Sequence, residues 1–520
     1  KRSAATRVTV VTEGIFVARI QADPELAGVS AVLFDEVHER SLDSDFGLAL
    51  AIDAQGALRP DLRLVAMSAT LDGARFGALL GGAPVIESEG RSFPLDIRHV
   101  GRAAESRVED AVAAAIRRAL AEEEGGVLAF LPGVAEIERT AERLAGLPDT
   151  EALHRLHGSL DPAAQRAAIA PAADGRRKVV LATSIAETSL TLDGIRIVVD
   201  PGLARRPRYD RAAGMTRLVT ERASQASVTQ RAGRAARQAP GIAYRLWEAA
   251  ATAGLPRFDP PEMLEADLSG LVLDTAIWGV GDPRDLAWLD PPPEAAVAEA
   301  RTRLTAFGAL GEDNRPTAHG RAIARLPLPP RLAHMLVRAG EMGLGRVAAD
   351  VAVLLSERGL GGTDPDLEVR LRRWRGERGA KAEAARGLAT RWARLAGGER
   401  ADPPGLAGDG VAVSVALAFP DRLSRRRDAS GESWASVGGR GFRLDPSSSL
   451  ARSEWLAVAD TAGAAGGARI LSAAPIDSAT VESLFADRLE TRRSVTFDPA
   501  SGGVAALRER RLGAIRLSAG

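Results

Sequence analysis

Three short runs hold the residues best suited to chemistry: Asp35-Glu36-Val37-His38, Ser68-Ala69-Thr70, and Gln230-Arg231-Ala232-Gly233-Arg234-Ala235-Ala236-Arg237. The first follows the apolar run Ala31 to Phe34, so two acidic side chains should emerge at the C-terminal end of a strand. In an open parallel α/β sheet that edge is where ligands bind. Triphosphate hydrolysis requires an acid to hold Mg2+, usually through water because the ion dehydrates reluctantly, and a base or orienter for the attacking water. It also requires positive charge where the γ-phosphate develops charge. Asp35 suits the first role and Glu36 the second. Arg234 and Arg237, three apart, should share a helix face with Gln230 one turn earlier, a stripe suited to a γ-phosphate and its water. Alone, D-E-x-H also describes solvated charge in a loop; the preceding strand and the two partner runs favour a site. For the arginines the bland reading is a salt-bridged surface helix, and against it residues 222–237 contain no acid.

No G-x-x-x-x-G-K-[ST] occurs, and the lysines are Lys1, Lys178 and Lys381. A phosphate-cradling loop of that type is therefore not among these residues, and the chain by itself is expected to be hydrolytically inactive. The opening Lys1-Arg2-Ser3, without Met or an apolar segment, does not read as a signal peptide and is expected to be a cut.

At 520 residues the chain should hold roughly three to five domains. An apolar content of 45% with 26% charged residues is ordinary for globular proteins. Net charge is zero, but nine arginines face only Asp210 and Glu221 between Pro201 and Pro240, a segment suited to phosphate contacts. Cysteine is absent, which excludes disulfide-linked partners, thiolate metal sites and cysteine nucleophiles, and fits a cytoplasmic location. No apolar stretch is long enough to span a bilayer, so no membrane partner is expected. His154 and His157 sit three apart on a strand-like run and should face opposite sides, which argues against zinc.

These residues need a scaffold of alternating strands and helices. Val8–Thr12, Val32–Asp35 and Leu62–Ser68 read as strands, with helices at 13–21, 46–58 and 75–80. Residues 91–94 read as a linker. A second set follows: helix 108–120, strand 127–131, helix 134–147, and strands 178–182 and 195–200. Residues 205–220 read as a β-hairpin with a Gly-containing loop. Helices then dominate, at 264–278, 294–310, 332–355 and 370–395, before short alternating runs beyond about 426 announce a small β domain.

Together these motifs resemble the DEAH/RHA group of superfamily 2 helicases, most closely the HrpB-type proteins. Thr12-Glu13-Gly14 is similar to motif Ib, Asp35–His38 to motif II, Ser68–Thr70 to motif III, Phe130-Leu131-Pro132-Gly133 to motif IV, Thr183–Thr191 with Asp193 to motif V, and Gln230–Arg237 to motif VI. Trp288-Leu289-Asp290-Pro291-Pro292 resembles the group's winged-helix and ratchet region. The resemblance implies an α/β chain. It would comprise an incomplete RecA-like lobe at 1–95, a second lobe at 96–250, a winged helix at 251–330, a helical bundle at 331–425 and an incomplete β domain at 426–520. It implies ATP and Mg2+ as cofactors and single-stranded or partly duplex RNA as partner, with 3′→5′ movement.

By the same resemblance Asp35 holds Mg2+ through water, Glu36 positions water, and His38 couples to motif VI. Ser68 and Thr70 would link hydrolysis to lobe movement, and Thr191 and Asp193 touch nucleotide. Gln230, Arg234 and Arg237 would sense the γ-phosphate. Thr12, Thr183 and Ser184 would contact the nucleic-acid backbone, and the hairpin at 205–220 resembles the group's strand-separating element; its positive charge suggests that Arg206, Arg208 and Arg211 contact phosphate. Three departures stand out: motifs I and Ia are missing, Ser184 replaces the usual Asn, and Ala236 replaces the usual Gly. Ala236 fits if that position is helical and costs about 1 kcal/mol if it needs positive φ. Two other readings stay open: a nucleic-acid-binding scaffold without turnover, and a DNA-directed translocase.

Overall fold

The computed structural model describes every residue except 1, 2, 4, 70–72, 89–92, 104, 149, 150, 172–174, 188, 189, 211–214, 358, 398–408, 464–466, 499–502 and 520. It divides into two compact units: residues 1–209, 216–266 and 286–292, and residues 210–215, 267–285 and 293–520.

The first unit begins with α1 (Glu13–Ala22) and β1 (Ala31–Phe34). The helix α2 (Leu42–Ala57) starts where the Ser41 hydroxyl accepts the Ser44 N–H at 3.1 Å, with Asp43 and Asp45 in its first turn. β2 (Arg63–Ala66) pairs in parallel with β1, Leu33 opposite Val65, and α3 (Gly73–Leu79) follows. Val8–Thr12 lies outside any strand, with Val8 and Val10 80% and 93% exposed. Its β-branched residues favour a strand only where another edge receives them, and among the described residues β1 and β2 pair only with each other.

A second set of elements builds a six-stranded parallel sheet. They are β3 (Leu95–His99), α4 (Val108–Glu122), β4 (Gly126–Phe130), α5 (Val134–Arg143), β5 (Glu151–Leu156), α6 (Pro162–Ile169), β6 (Arg177–Ala182) and β7 (Ile195–Asp200). β8 (Leu203–Asp210) and β9 (Met215–Arg222) form the expected hairpin as a separate two-stranded sheet, and α7 (Gln225–Gly233) and β10 (Gly241–Arg245) complete the lobe. The sheet order is β3-β10-β7-β4-β6-β5, with every pairing parallel. Alternation along the strands sorts the core onto two faces. Val127, Ala129, Val179, Leu181, Ile197 and Val199 pack with Val112, Ile116 and Ile137 of the helices on one side. Leu128, Phe130, Val180, Ala182 and Val198 pack with Ala168, Ala232 and Ala235 on the other. Such doubly covered strands read as continuous apolar runs. β3, β10 and α6 are additions to the expected elements.

The second unit holds α8 (Ser269–Trp278), α9 (Glu294–Ala306), α10 (Ala318–Ala324), α11 (Pro330–Glu341), α12 (Gly345–Ser356), α13 (Leu367–Gly376), α14 (Ala380–Leu395) and α15 (Gly410–Ala418). The helical run expected over 332–355 is two helices, because Gly343 adopts φ +81° between them. A closed barrel follows, built from β11 (Leu423–Arg426), β12 (Ser433–Ser436), β13 (Gly441–Arg443), β14 (Trp455–Ala462) and β15 (Ala468–Ile476). Trp434, Phe442, Leu456 and Ile470 fill its core. After α16 (Ser478–Leu484), the strands β16 (Leu489–Asp498), β17 (Gly503–Leu512) and β18 (Ile515–Ala519) make a three-stranded antiparallel sheet. Among the described residues no helix is long and apolar enough to cross a membrane.

Candidate functional site

Asp35 and Glu36 leave β1 at its C-terminal end, as the apolar run before them dictates. Asp35 is exposed, and its Oδ1 accepts the Glu36 N–H at 2.9 Å. Glu36 sits in the left-handed region at φ +51°, rare for a residue with a β-carbon. The turn is tied to β2 by the Val37 N–H, which reaches the Met67 carbonyl at 3.0 Å, beside Ser68.

His38 is the meeting point. The Gln230 side-chain amide donates to its Nε2 at 3.2 Å, joining residues 192 positions apart. That arrangement leaves the ring proton on Nδ1, which lies 3.4 Å from Glu36 Oε2. The Ala69 N–H is also 3.4 Å from Nδ1 and bonds to it only in the opposite tautomer. One imidazole therefore senses Glu36, the Ser68-Ala69 segment and Gln230.

Gln230 projects from α7, capped by the Ser224 hydroxyl accepting the Ser227 N–H at 3.0 Å. Arg234 and Arg237 follow where the helix tightens into a short 3-10 turn over Arg234–Ala236. Ala236 is helical, so its β-carbon costs nothing there. The Arg234 guanidinium is buried and donates to the carbonyls of Glu187, at 2.9 Å, and Leu190, at 2.5 Å. Burial, then the neighbouring Arg237 charge, brings it down to about 10, while Glu36 and Glu187 act in the opposite sense. Arg237 is exposed, with no hydrogen-bond partner among the described residues. The structure thus holds Arg234 against the carbonyls of Glu187 and Leu190 and leaves Arg237 open.

Arg231, named in the run but given no role from sequence, is the hub of the lobe. Its guanidinium reaches Glu187 Oε1 at 2.7 Å, Asp200 Oδ1 at 2.9 Å and the Leu203 carbonyl at 3.0 Å, and lies 5.0 Å over the Phe130 ring. Burial opposes its charge, but Asp200 and Glu187 more than restore it. Burial pushes Glu187 up, with Arg231 opposing. The acids missing from residues 222–237 come from elsewhere in the chain.

The hairpin arginines are likewise paired. Arg205 donates to both oxygens of Glu136 at 3.0 and 3.1 Å, and that pair fills the space where Gly133 has no side chain. Arg206 meets Asp259 and Glu221, and Arg208 meets Glu221 and Glu265. Arg206 and Arg208, expected to contact nucleic acid, are thus each paired with acids in this structure. Arg211 and Thr70 lie outside the described residues.

His38, Thr183, Ser184, Arg205, Arg206, Glu187, Gln230 and Asp259 line one cavity of about 400 Å³. Thr191 and Asp193 are exposed, and Asp193 accepts from Gln238 at 2.7 Å. Thr12 is exposed at the start of α1 and lies apart from that cavity. His154 lies on β5 and His157 just beyond it, buried, its Nδ1 2.9 Å from the Ser159 hydroxyl.

Residues 110–239 match the family described as Helicase conserved C-terminal domain. The ATP-dependent RNA helicase HrpB of Escherichia coli K12 is 42% identical over 511 residues, 98% of this chain and 62% of that protein. The crystal structure of E. coli DExH-box NTPase HrpB matches with a TM-score of 0.86 at 40% identity, over 99% of this chain and 62% of that one.

This chain belongs to the DEAH-box helicase family.

A probable ATP-dependent RNA helicase, DHX34 of Mus musculus, is 36% identical over 369 residues, 68% of this DEAH-box chain and 32% of its own length. The chain spans less than two thirds of the length of these relatives.

Proposed function

We propose that this chain forms the nucleotide-switched core of an ATP-dependent RNA helicase that moves 3′→5′ and separates strands in the cytoplasm. The contact between His38 and Gln230 at 3.2 Å carries the reading, because it joins the acidic turn to the arginine helix beside a cavity that also holds Thr183 and Ser184. The relatives named as RNA helicases support RNA over DNA. In this reading the domain boundaries fall near 95, 250, 330 and 425.

Asp35 fits a hydrated Mg2+: it is exposed, and among the described residues only its Oδ1 is engaged. When bound, the ion would neutralise phosphate charge. Glu36 orients water, and His38 reports its state to Gln230 through the imidazole. Arg237 is free to meet a γ-phosphate, Arg234 holds the motif V loop, and Thr191 and Asp193 flank the nucleotide. Thr183 and Ser184, with Thr12, grip the RNA backbone.

The test is Gln230→Ala in a form that also carries a phosphate-binding loop. RNA-stimulated ATP turnover should fall about tenfold or more while nucleotide-free RNA affinity is kept. Full RNA stimulation in that variant refutes the reading.

A further inference from the structure

Residues 286–292 pack within the first unit, whereas the chain before and after them belongs to the second. Trp288 stacks on Phe46 of α2, with ring centres 6.1 Å apart and planes 17° from parallel. The Asp290 carboxylate accepts from Arg40 Nη1 at 2.7 Å and from Arg75 Nη2 at 2.8 Å, and Arg75 also donates to the Leu289 carbonyl at 3.0 Å. One acid thus joins the residue two past His38 to the helix that follows Ser68-Ala69. The Arg40 side chain is only 10% exposed, and its remaining donors meet Asp45 at 2.8 to 3.2 Å. Its backbone is left-handed at φ +54°, a conformation kept when the surroundings enforce it. The Arg40 carbonyl accepts the Glu262 N–H at 3.1 Å, and the Glu262 carboxylate accepts the Leu42 N–H at 2.8 Å.

We infer that Asp290 is a positioning residue for the nucleotide cycle. It holds the turn carrying Glu36 and His38 in register with the segment carrying Ser68 and Ala69, and ties both to the chain running into α9. This rests on the helicase reading above. The bland alternative is a staple that only stabilises the lobe. Asp290→Asn separates the two, because Arg40 keeps Asp45 and no buried guanidinium is left unpaired. Arg75, with a side chain 48% exposed, can be replaced by Gln at little cost to folding.

The decisive readout is hydrogen exchange in the 520-residue chain, which requires no turnover. The Val37 N–H to Met67 carbonyl and Met67 N–H to Phe34 carbonyl bonds, 3.0 and 2.8 Å, join the two segments. Asp290→Asn and Arg75→Gln should each speed exchange at these amides about tenfold, with β4 and β7 unchanged. The double variant should do no more than either single one, since both break one shared interaction. Unchanged exchange at Val37 and Met67, or equal acceleration in β4 and β7, overturns the assignment. Where ATP turnover can be followed, Asp290→Asn should lower the RNA-stimulated kcat about tenfold with KM for ATP kept, and Asp290→Glu should recover part of it. A normal kcat with altered exchange leaves only the staple and also overturns it. If the unsubstituted protein in a form that also carries a phosphate-binding loop shows no RNA-stimulated turnover at all, the helicase reading fails, and the exchange result still decides whether Asp290 joins the two segments.

Discussion

Replacing Arg231 by Met should unfasten the second lobe. The guanidinium is the shared partner of Glu187 and Asp200, whose side chains are 12% and 2% exposed, so its loss leaves two carboxylates out of water. Removing one partner of a buried ion pair costs about 3–5 kcal/mol, and the contact over Phe130 adds up to about 2 kcal/mol when desolvated. These contributions overlap, so about 3–5 kcal/mol is the working figure. Native-state exchange of the Leu128 and Val198 amides, in β4 and β7, reads this directly. It should accelerate by roughly 150- to 5000-fold, since each 1.36 kcal/mol is a factor of ten. The loss should depend on pH with a definite sign. Burial already pushes Glu187 up, and without Arg231 the Ser227 hydroxyl bond is the remaining opposing contact, smaller than the burial effect. A folded-state pKa raised above the unfolded value gives stability that is present at low pH and lost as pH rises through it. The variant's deficit should therefore be smaller at pH 5 than at pH 8. Adding Glu187→Gln and Asp200→Asn should restore most of the stability, because an uncharged buried set has no desolvated charge to compensate. An acceleration below about fivefold in Arg231→Met would refute the argument.

In a form that also carries a phosphate-binding loop, Arg237→Ala should lower ATP turnover by about 10³ or more without changing stability, whereas Arg234→Ala should also destabilise the lobe, since its guanidinium satisfies the carbonyls of Glu187 and Leu190; turnover and thermal melting, measured side by side, separate the two. Arg206→Ala and Arg208→Ala should leave the salt dependence of RNA binding unchanged, because both arginines are engaged with acids. A log–log slope flattened by about 0.7 per residue would show instead that they exchange those acids for phosphate. His334 is buried, stacked 4.4 Å from Phe307 and 2.8 Å from His319, and burial first, then the His319 charge, brings it down to about 3. Its folded pKa is depressed, so the stability of the second unit should be full above the ordinary histidine range and fall as pH drops from about 6.5 toward 3. His334→Gln should flatten that decline in a pH series of melting curves.

The motifs were legible because each is contiguous, and the acidic turn and Ser68-Ala69 also follow runs that read as strands. Position alone placed Asp35 and Glu36 at the rim of the sheet, and a coupling of His38 to the Gln230–Arg237 run was implied by the family resemblance, though not that Gln230 makes the contact. What the sequence hid is what depends on distant partners. Arg205 and Glu136 are 69 residues apart, and Arg40 and Asp290 are 250 apart. No local pattern distinguishes a paired arginine from one open to phosphate. β3 was hidden by its charged residues, Asp96, Arg98 and His99. Their charge is settled only in the fold, where Arg98 reaches Asp96 at 2.8 Å and Glu123 at 2.6 Å. The strand expected at Val8–Thr12 shows the opposite error: propensity without a neighbour makes no strand.

The pairing of β1 with β2 has a practical consequence for anyone handling these 520 residues. Among the described residues neither strand has a second neighbour, so each presents an open row of backbone donors and acceptors. Leu33 and Val65, paired across the two strands, are 59% and 42% exposed. Open edges beside exposed apolar side chains are templates for adding strands from other molecules. Concentrated solutions should therefore self-associate through this lobe, visible as a concentration-dependent mass in light scattering. Leu33→Lys should suppress that association without touching the residues that line the cavity.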